Sequence, residues 1–305
     1  IGYFLFDYAP EVHSLGAYLF KTGAYPGYIV SGDAAAHLAG FCLAVSAPAS
    51  VRHDLFVTTE VEYEPKYDWS VSYLARVRIG RAVEFAAGAM YERLVPYEPA
   101  RTSPRTVRDA PRFKGYVPEA TGDTLWYTKS GIKLMGRVVI DFKKLSRAPR
   151  PGRLGEEDLK LYAEAALLGV RNQEGYYDDI TERVPAMIGL NLPAFGLLDV
   201  LGVEAEYYGS PYWNNPQNEG YPIPCLDWEW NPIEDPKQDL GWRSRADNIK
   251  WGVFAYRTLT KGIGLYARAA SDHFRPRDTD GSLQVFEWLH APDEWYWRVG
   301  VRFRF

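Results

Sequence analysis

The sequence predicts an all-β protein, a transmembrane up-and-down antiparallel β-barrel of about twelve strands, and three observations predict it. First, apolar and polar residues alternate with period two through most of the chain, which places one residue type on each face of a strand. Second, long and short connections interleave: 277–292, 211–245, 174–182 and 97–124 are long, whereas 260–262, 194–197 and 80–81 are tight. The exceptions are 146–157, long on the short side, and 64–67, short on the long side. Third, Tyr63, Trp69, Tyr91, Tyr207, Trp251, Trp295 and Trp297 stand at the ends of the apolar stripes, where a membrane-interface girdle lies. A soluble sandwich also alternates; the loop rhythm and the girdle separate the two. No run approaches the ~18 consecutive apolar residues of a spanning helix. A chain of this kind crosses lipid only as a closed barrel, which leaves no backbone edge unpaired.

In chain order, the first two strands, near Ser14–Ile29 and Ala36–Val45, are the least regular. Leu55, Val57, Thr59, Val61 and Tyr63 then oppose Asp54, Phe56, Glu60 and Glu62. Trp69 to Ile79 presents Val71, Tyr73, Ala75 and Val77 against Ser70, Ser72, Arg76 and Arg78, and Gly80-Arg81 turns it into Val83 to Tyr91. Ile132 to Phe142, Leu159 to Leu167, Val184 to Leu192 and Leu201 to Tyr207 repeat the pattern. Ile249 to Ala255 and Ile263 to Ala269 are joined by the short turn Thr260–Gly262. The last strand is the clearest: Trp295, Trp297, Val299, Val301, Phe303 and Phe305 alternate with Tyr296, Arg298, Gly300, Arg302 and Arg304.

All 305 residues read as one domain, residues 1–305, with no composition shift that marks a linker. The 22 Tyr and 10 Trp exceed what an ordinary soluble domain needs, and a net charge of −4 gives no case for nucleic acid. The chain opens on Ile1 without a basic-then-apolar export signal, so a processed or incomplete N-terminus is expected. Cys42 and Cys225 match no metal spacing; they are either one disulfide or two unrelated thiols. No metal or cofactor is expected.

The C-terminal run Arg298-x-Gly300-x-x-Phe303-x-Phe305 resembles the C-terminal insertion signal of bacterial outer-membrane β-barrel proteins. In that family the signal is read by the machinery that inserts barrels. The resemblance therefore implies a Gram-negative outer-membrane location, that machinery as a partner, and lipid and lipopolysaccharide as surroundings. Gly300, Phe303 and Phe305 carry it.

With the apolar face in lipid, the polar face lines the lumen, and its charges alternate in sign from strand to strand. Glu60 and Glu62 precede Arg76 and Arg78; Glu84, Lys133, Arg137 and Glu164 follow; then come Glu204, Glu206, Lys250, Arg268, Arg298, Arg302 and Arg304. Sequential strands are neighbours, so opposite charges meet across the ladder. One reading is a charged eyelet that selects small solutes in a narrow or gated pore. The other is a structural salt-bridge network in a filled lumen, which the mixed signs favour. Arg93 and Arg257 fall on the lipid parity near strand ends, where a basic side chain reaches headgroups.

Among the outer loops, 210–245 carries Tyr212, Trp213, Asn214, Trp228, Trp230 and Trp242. Flat rings beside amides suit a glycan; the same residues suit a self-packed lid or a partner-protein surface on a non-conducting anchor. Arg101, Arg105, Arg108, Arg112 and Lys114 make loop 98–123 basic, either for lipopolysaccharide phosphates or simply as a solvated loop. Asp278-x-Asp280-Gly281 lacks the remaining ligands of a calcium loop and reads as a turn. Catalysis finds little support: His13, His37, His53, His273 and His290 have no local Ser or Asp motif. The carboxylate pairs Asp178-Asp179 and Asp227/Glu229 have no fixed geometry either.

Overall fold

A computed structural model describes residues 2–13, 15–20, 36–47, 50–59, 67–95, 113–116, 125–128, 130–145, 154–171, 179–209, 249–271 and 295–303. The fold is all-β and antiparallel. Strands β1 (Gly2–Phe6), β2 (Ala36–Ala47), β3 (Val51–Thr59), β4 (Trp69–Ile79) and β5 (Val83–Val95) begin the sheet. A separate hairpin, β6 (Phe113–Tyr116) and β7 (Leu125–Thr128), lies within the long connection after β5. The sheet resumes with β8 (Gly131–Asp141), β9 (Lys160–Leu167), β10 (Ala186–Asn191) and β11 (Val200–Tyr207). It ends with β12 (Ile249–Thr260), β13 (Ile263–Ala270) and β14 (Tyr296–Phe303). Each strand pairs with its sequence neighbour in one 12-stranded meander, with β5 joined to β8 across the hairpin. The only described α-helix, α1 (Phe142–Leu145), is four residues long, and no described helix is long and apolar enough to cross a membrane.

Burial is inverted relative to a soluble sheet. On β14, Trp297, Val299, Val301 and Phe303 are all exposed. On β8, Leu134 is exposed while Lys133 and Arg137 are buried; on β11, Val203 and Tyr207 are exposed while Glu204 and Glu206 are buried. The period-two pattern thus puts charged groups inside, alongside buried Phe56, Leu74, Met135, Tyr162 and Met187, and leaves the opposite, aliphatic and aromatic face exposed.

Two elements differ from the sequence expectation. The strand expected near Ser14–Ile29 is not one over its described part: residues 15–20 are irregular and end in a 3-10 turn, Tyr18–Phe20. Gly16 and Ala17 have φ of 89° and 58°, two successive left-handed residues that break an extended run. The first strand is instead β1, five residues long and bonded only to residues 36–40 of β2. The described sheet is not closed. Among the described residues β1 and β14 are its edges, and residues 41–47 of β2 have no neighbour on the β1 side.

Inside the sheet, some glycines act as sockets for tyrosine rings. Gly189 on β10 faces Tyr162 on β9, and a Cβ there would lie 2.1 Å from the ring; Gly300 on β14 faces Tyr266, at 2.6 Å. Gly189→Ala must therefore displace a fully buried ring that is bonded to Glu204. The expected cost is that of overpacking, about 1–3 kcal/mol, read as a lower midpoint in urea unfolding. Gly300→Ala has a looser socket and a smaller expected loss.

Candidate functional site: the occupied interior

After β1 the chain turns inward, and the described residues 7–13 and 15–20 run within the curled sheet. Tyr8, Ala9, Val12, Leu15, Tyr18 and Leu19 are almost completely buried against Phe56, Leu74, Met135, Tyr162 and Met187 of the wall. Phe20 meets Phe56 edge-on at 5.2 Å, and His13 stacks on Phe254 at 4.5 Å. This internal segment therefore touches strands from β3 to β12.

Three wall glutamates anchor it. Glu164 accepts hydrogen bonds from the Tyr8 hydroxyl and the Tyr18 amide, both at 2.7 Å. Glu204 accepts from the amides of His13 (2.6 Å) and Leu15 (2.9 Å), and from the Tyr162 hydroxyl at 2.9 Å. Glu206 accepts from the Tyr18 hydroxyl at 2.7 Å. The Leu19 amide in turn donates to the Tyr8 hydroxyl at 3.1 Å. A carboxylate taken out of water is costly unless it is hydrogen-bonded, and here backbone amides of the internal segment serve Glu164 and Glu204 while tyrosine hydroxyls serve Glu164 and Glu206. These irregular residues have few intrastrand partners for their own amides, so each side satisfies the other.

Charges on the wall pair as alternation of sign predicts, with one addition. Arg137 bridges Glu164 (3.1 Å) and Glu11 of the internal segment. Lys133 pairs with Glu92 at 2.7 Å, Lys250 with Glu206 at 3.5 Å, and Arg78 with Glu84 at 2.8 Å. The addition is Asp54, fully buried between Arg52 (2.9 Å) and Arg76 (2.7 Å). Like charges also meet: Arg268 is in register with Arg298, whose guanidinium lies 5.5 Å from the Tyr266 ring. Arg302 is exposed near the end of β14.

Arg93 does not reach outward as its parity suggested. A register shift between Trp69 and Val71 and a φ of 50° at Arg93 turn it into the interior, where it is 8% exposed. Arg257 stays near the surface, donating to the Gly196 carbonyl at 2.8 Å. Asp179 caps the short 3-10 helix Ile180–Arg183, accepting from the Thr181 amide at 2.8 Å. Hydrogen bonds from Thr181, its backbone N–H foremost, hold this carboxyl below the usual carboxylate range. His53 bonds the Tyr73 hydroxyl at 2.6 Å, and Cys42 is a free exposed thiol. Among the described residues no cluster of His, Cys, Asp or Glu is arranged to hold a metal.

Several candidates lie outside the described residues: Glu60, Glu62, Arg304 and Phe305, Cys225, the loop aromatics Tyr212, Trp213, Asn214, Trp228, Trp230 and Trp242, and the carboxylates Asp178, Asp227 and Glu229. The basic residues of the 98–123 loop also carry no described side chains.

Sequence reasoning missed Tyr8, Glu11 and Tyr18, and weighed His13 only for catalysis. Their signal was Pro10 and Gly16, which break alternation in a stretch short of polar positions. No protein-family model, curated protein or solved structure matches the chain.

Proposed function

We propose that the protein is an outer-membrane β-barrel forming a narrow, gated pore for small solutes, with residues 7–20 as the gate. The observation that carries this reading is the inverted burial around a segment held by polar bonds. Exposed aliphatic side chains suit a lipid belt. Trp69, Tyr91, Tyr207, Trp251, Trp295 and Trp297 all stand at the end of the sheet that bears the long connections, as an interfacial girdle would. Outer-membrane lipid and lipopolysaccharide would then surround the wall. The insertion machinery would read the C-terminal strand, and in β14 Phe303 faces outward while Gly300 seats Tyr266. Hydrogen bonds to three glutamates can be exchanged for water, which is what a gate requires and a purely apolar stopper does not offer.

A second reading is a non-conducting anchor that binds a partner protein or glycan through its outer loops. The apolar packing of Val12, Leu15 and Leu19 inside the wall favours it. Single-channel recording in planar bilayers separates the two. The gated pore predicts rare, small openings for the native protein. Glu204→Gln removes the charge that holds two amides, worth about 1.5–3 kcal/mol for bonds to a charged group, so open probability rises roughly tenfold to a hundredfold. Silence of both proteins, with both folded, would overturn the pore and leave the anchor.

A further inference from the structure

A cavity of about 290 Å³ lies at the short-turn end, between the internal segment and the wall. The wall contributes Arg76, Arg78 and Arg81 from β4 and its turn, Lys144 from α1 and Lys160 from β9. Four carboxylates face them: Asp7 and Glu11 from the internal segment, and Glu84 and Asp141 from the wall.

Nearly all of these charges are already paired. Arg76 is held by Asp54, Arg78 by Glu84 at 2.8 Å, Lys144 by Asp141 at 3.0 Å, Lys160 by Glu157 at 2.7 Å, and Glu11 by Arg137. Two remain. Arg81 makes no ion pair or hydrogen bond among the described residues. The Asp7 carboxylate forms no ion pair there, and accepts only from the Ala9 amide at 2.8 Å. Among the described residues, one free cation therefore stands on the wall and one free anion on the internal segment, not bonded to each other, across a cavity they share. Pro10, Val83 and Val139 give that cavity an apolar side.

We propose that this cavity binds a zwitterionic amino acid or short peptide, its ammonium on Asp7 and its carboxylate on Arg81. A guanidinium takes a carboxylate in a two-pronged bond, and the volume is at the small end of ligand sites. A simple anion would leave Asp7 opposed, and a simple cation would leave Arg81 opposed; a ligand with both charges matches both. Because Asp7 belongs to the internal segment, occupancy bears on that segment directly. This assignment of a solute class rests on the pore reading.

The test is equilibrium titration of the full chain in detergent with dialanine, N-acetyl-dialanine and dialanine amide. Dialanine binds, and Asp7→Asn or Arg81→Gln each weakens it about tenfold or more. Blocking the amine makes the residual binding insensitive to Asp7→Asn, and blocking the carboxylate makes it insensitive to Arg81→Gln. Both residues are exposed, so the variants fold, which unchanged circular dichroism verifies. Absence of dialanine binding, or equal binding of all three compounds, overturns the site. Binding is read without conductance, so dialanine binding by a silent protein refutes the pore and retains the site, whereas a conducting protein that ignores dialanine refutes the site alone.

Discussion

Arg137→Leu is expected to be the most destabilising single substitution in the wall. The guanidinium sits between Glu11 and Glu164, and both carboxylates are buried with it. Removing it leaves two interior carboxylates facing each other without a cation. Breaking a buried pair from one side costs about 3–5 kcal/mol, because the surviving charge remains out of water. The expected result is a large fall in the urea midpoint of the protein in lipid vesicles, followed by tryptophan fluorescence. Adding Glu11→Gln and Glu164→Gln in the same chain restores much of the loss, since neutral amides need no cation. A triple variant no more stable than Arg137→Leu would show that packing of the arginine stem, and not charge, sets the cost.

Tyr18→Ala is expected to free the internal segment while leaving the wall intact. The ring is fully buried and its hydroxyl donates to Glu206 at 2.7 Å. Truncating a buried aromatic costs about 3–5 kcal/mol, but here the loss falls on docking of one segment. Hydrogen exchange reads this directly. The amides of Leu15 and Tyr18, bonded to Glu204 and Glu164, lose their protection. The ladder amides of β4 and β5 keep theirs. Tyr18→Phe retains the ring and loses only the bond to a charged group, about 1.5–3 kcal/mol, so protection falls by less. If wall and interior amides exchange together in Tyr18→Ala, the two are one cooperative unit and the segment is no gate.

The wall strands were legible because a strand with one face toward a polar interior must alternate, and Trp295 to Phe303 alternates without exception. Bounds moved by one residue at β9, which begins at Lys160, and by four or five at the ends of β5 (Val95) and β12 (Thr260). The pairing of Arg137 with Glu164 and of Lys250 with Glu206 was also legible, because adjacent strands carried opposite signs at matching parity. Asp54 was harder: it stands alone on its strand as an acid between two arginines, one of them on the next strand. The internal segment was not legible. Residues 7–20 contain enough apolar side chains to resemble a weak strand, and their partners lie far along the chain, where no local period can report them. Openness between β1 and β14 was equally invisible, since alternation counts strands but says nothing of which edges meet.

Those distant partners set an order of assembly. The bonds from the internal segment to Glu164, Glu204 and Glu206 span 146 to 191 residues. The segment precedes β9 and β11 by well over a hundred residues, yet its seat is built from those two strands. Contacts of such separation form late, after loop-closure entropy has been overcome. A growing chain therefore carries Tyr8, Val12, Leu15 and Tyr18 unburied until the eleventh strand is in place. Docking of these residues then reports that the wall is nearly complete, so a segment made before the wall strands becomes a check on their assembly.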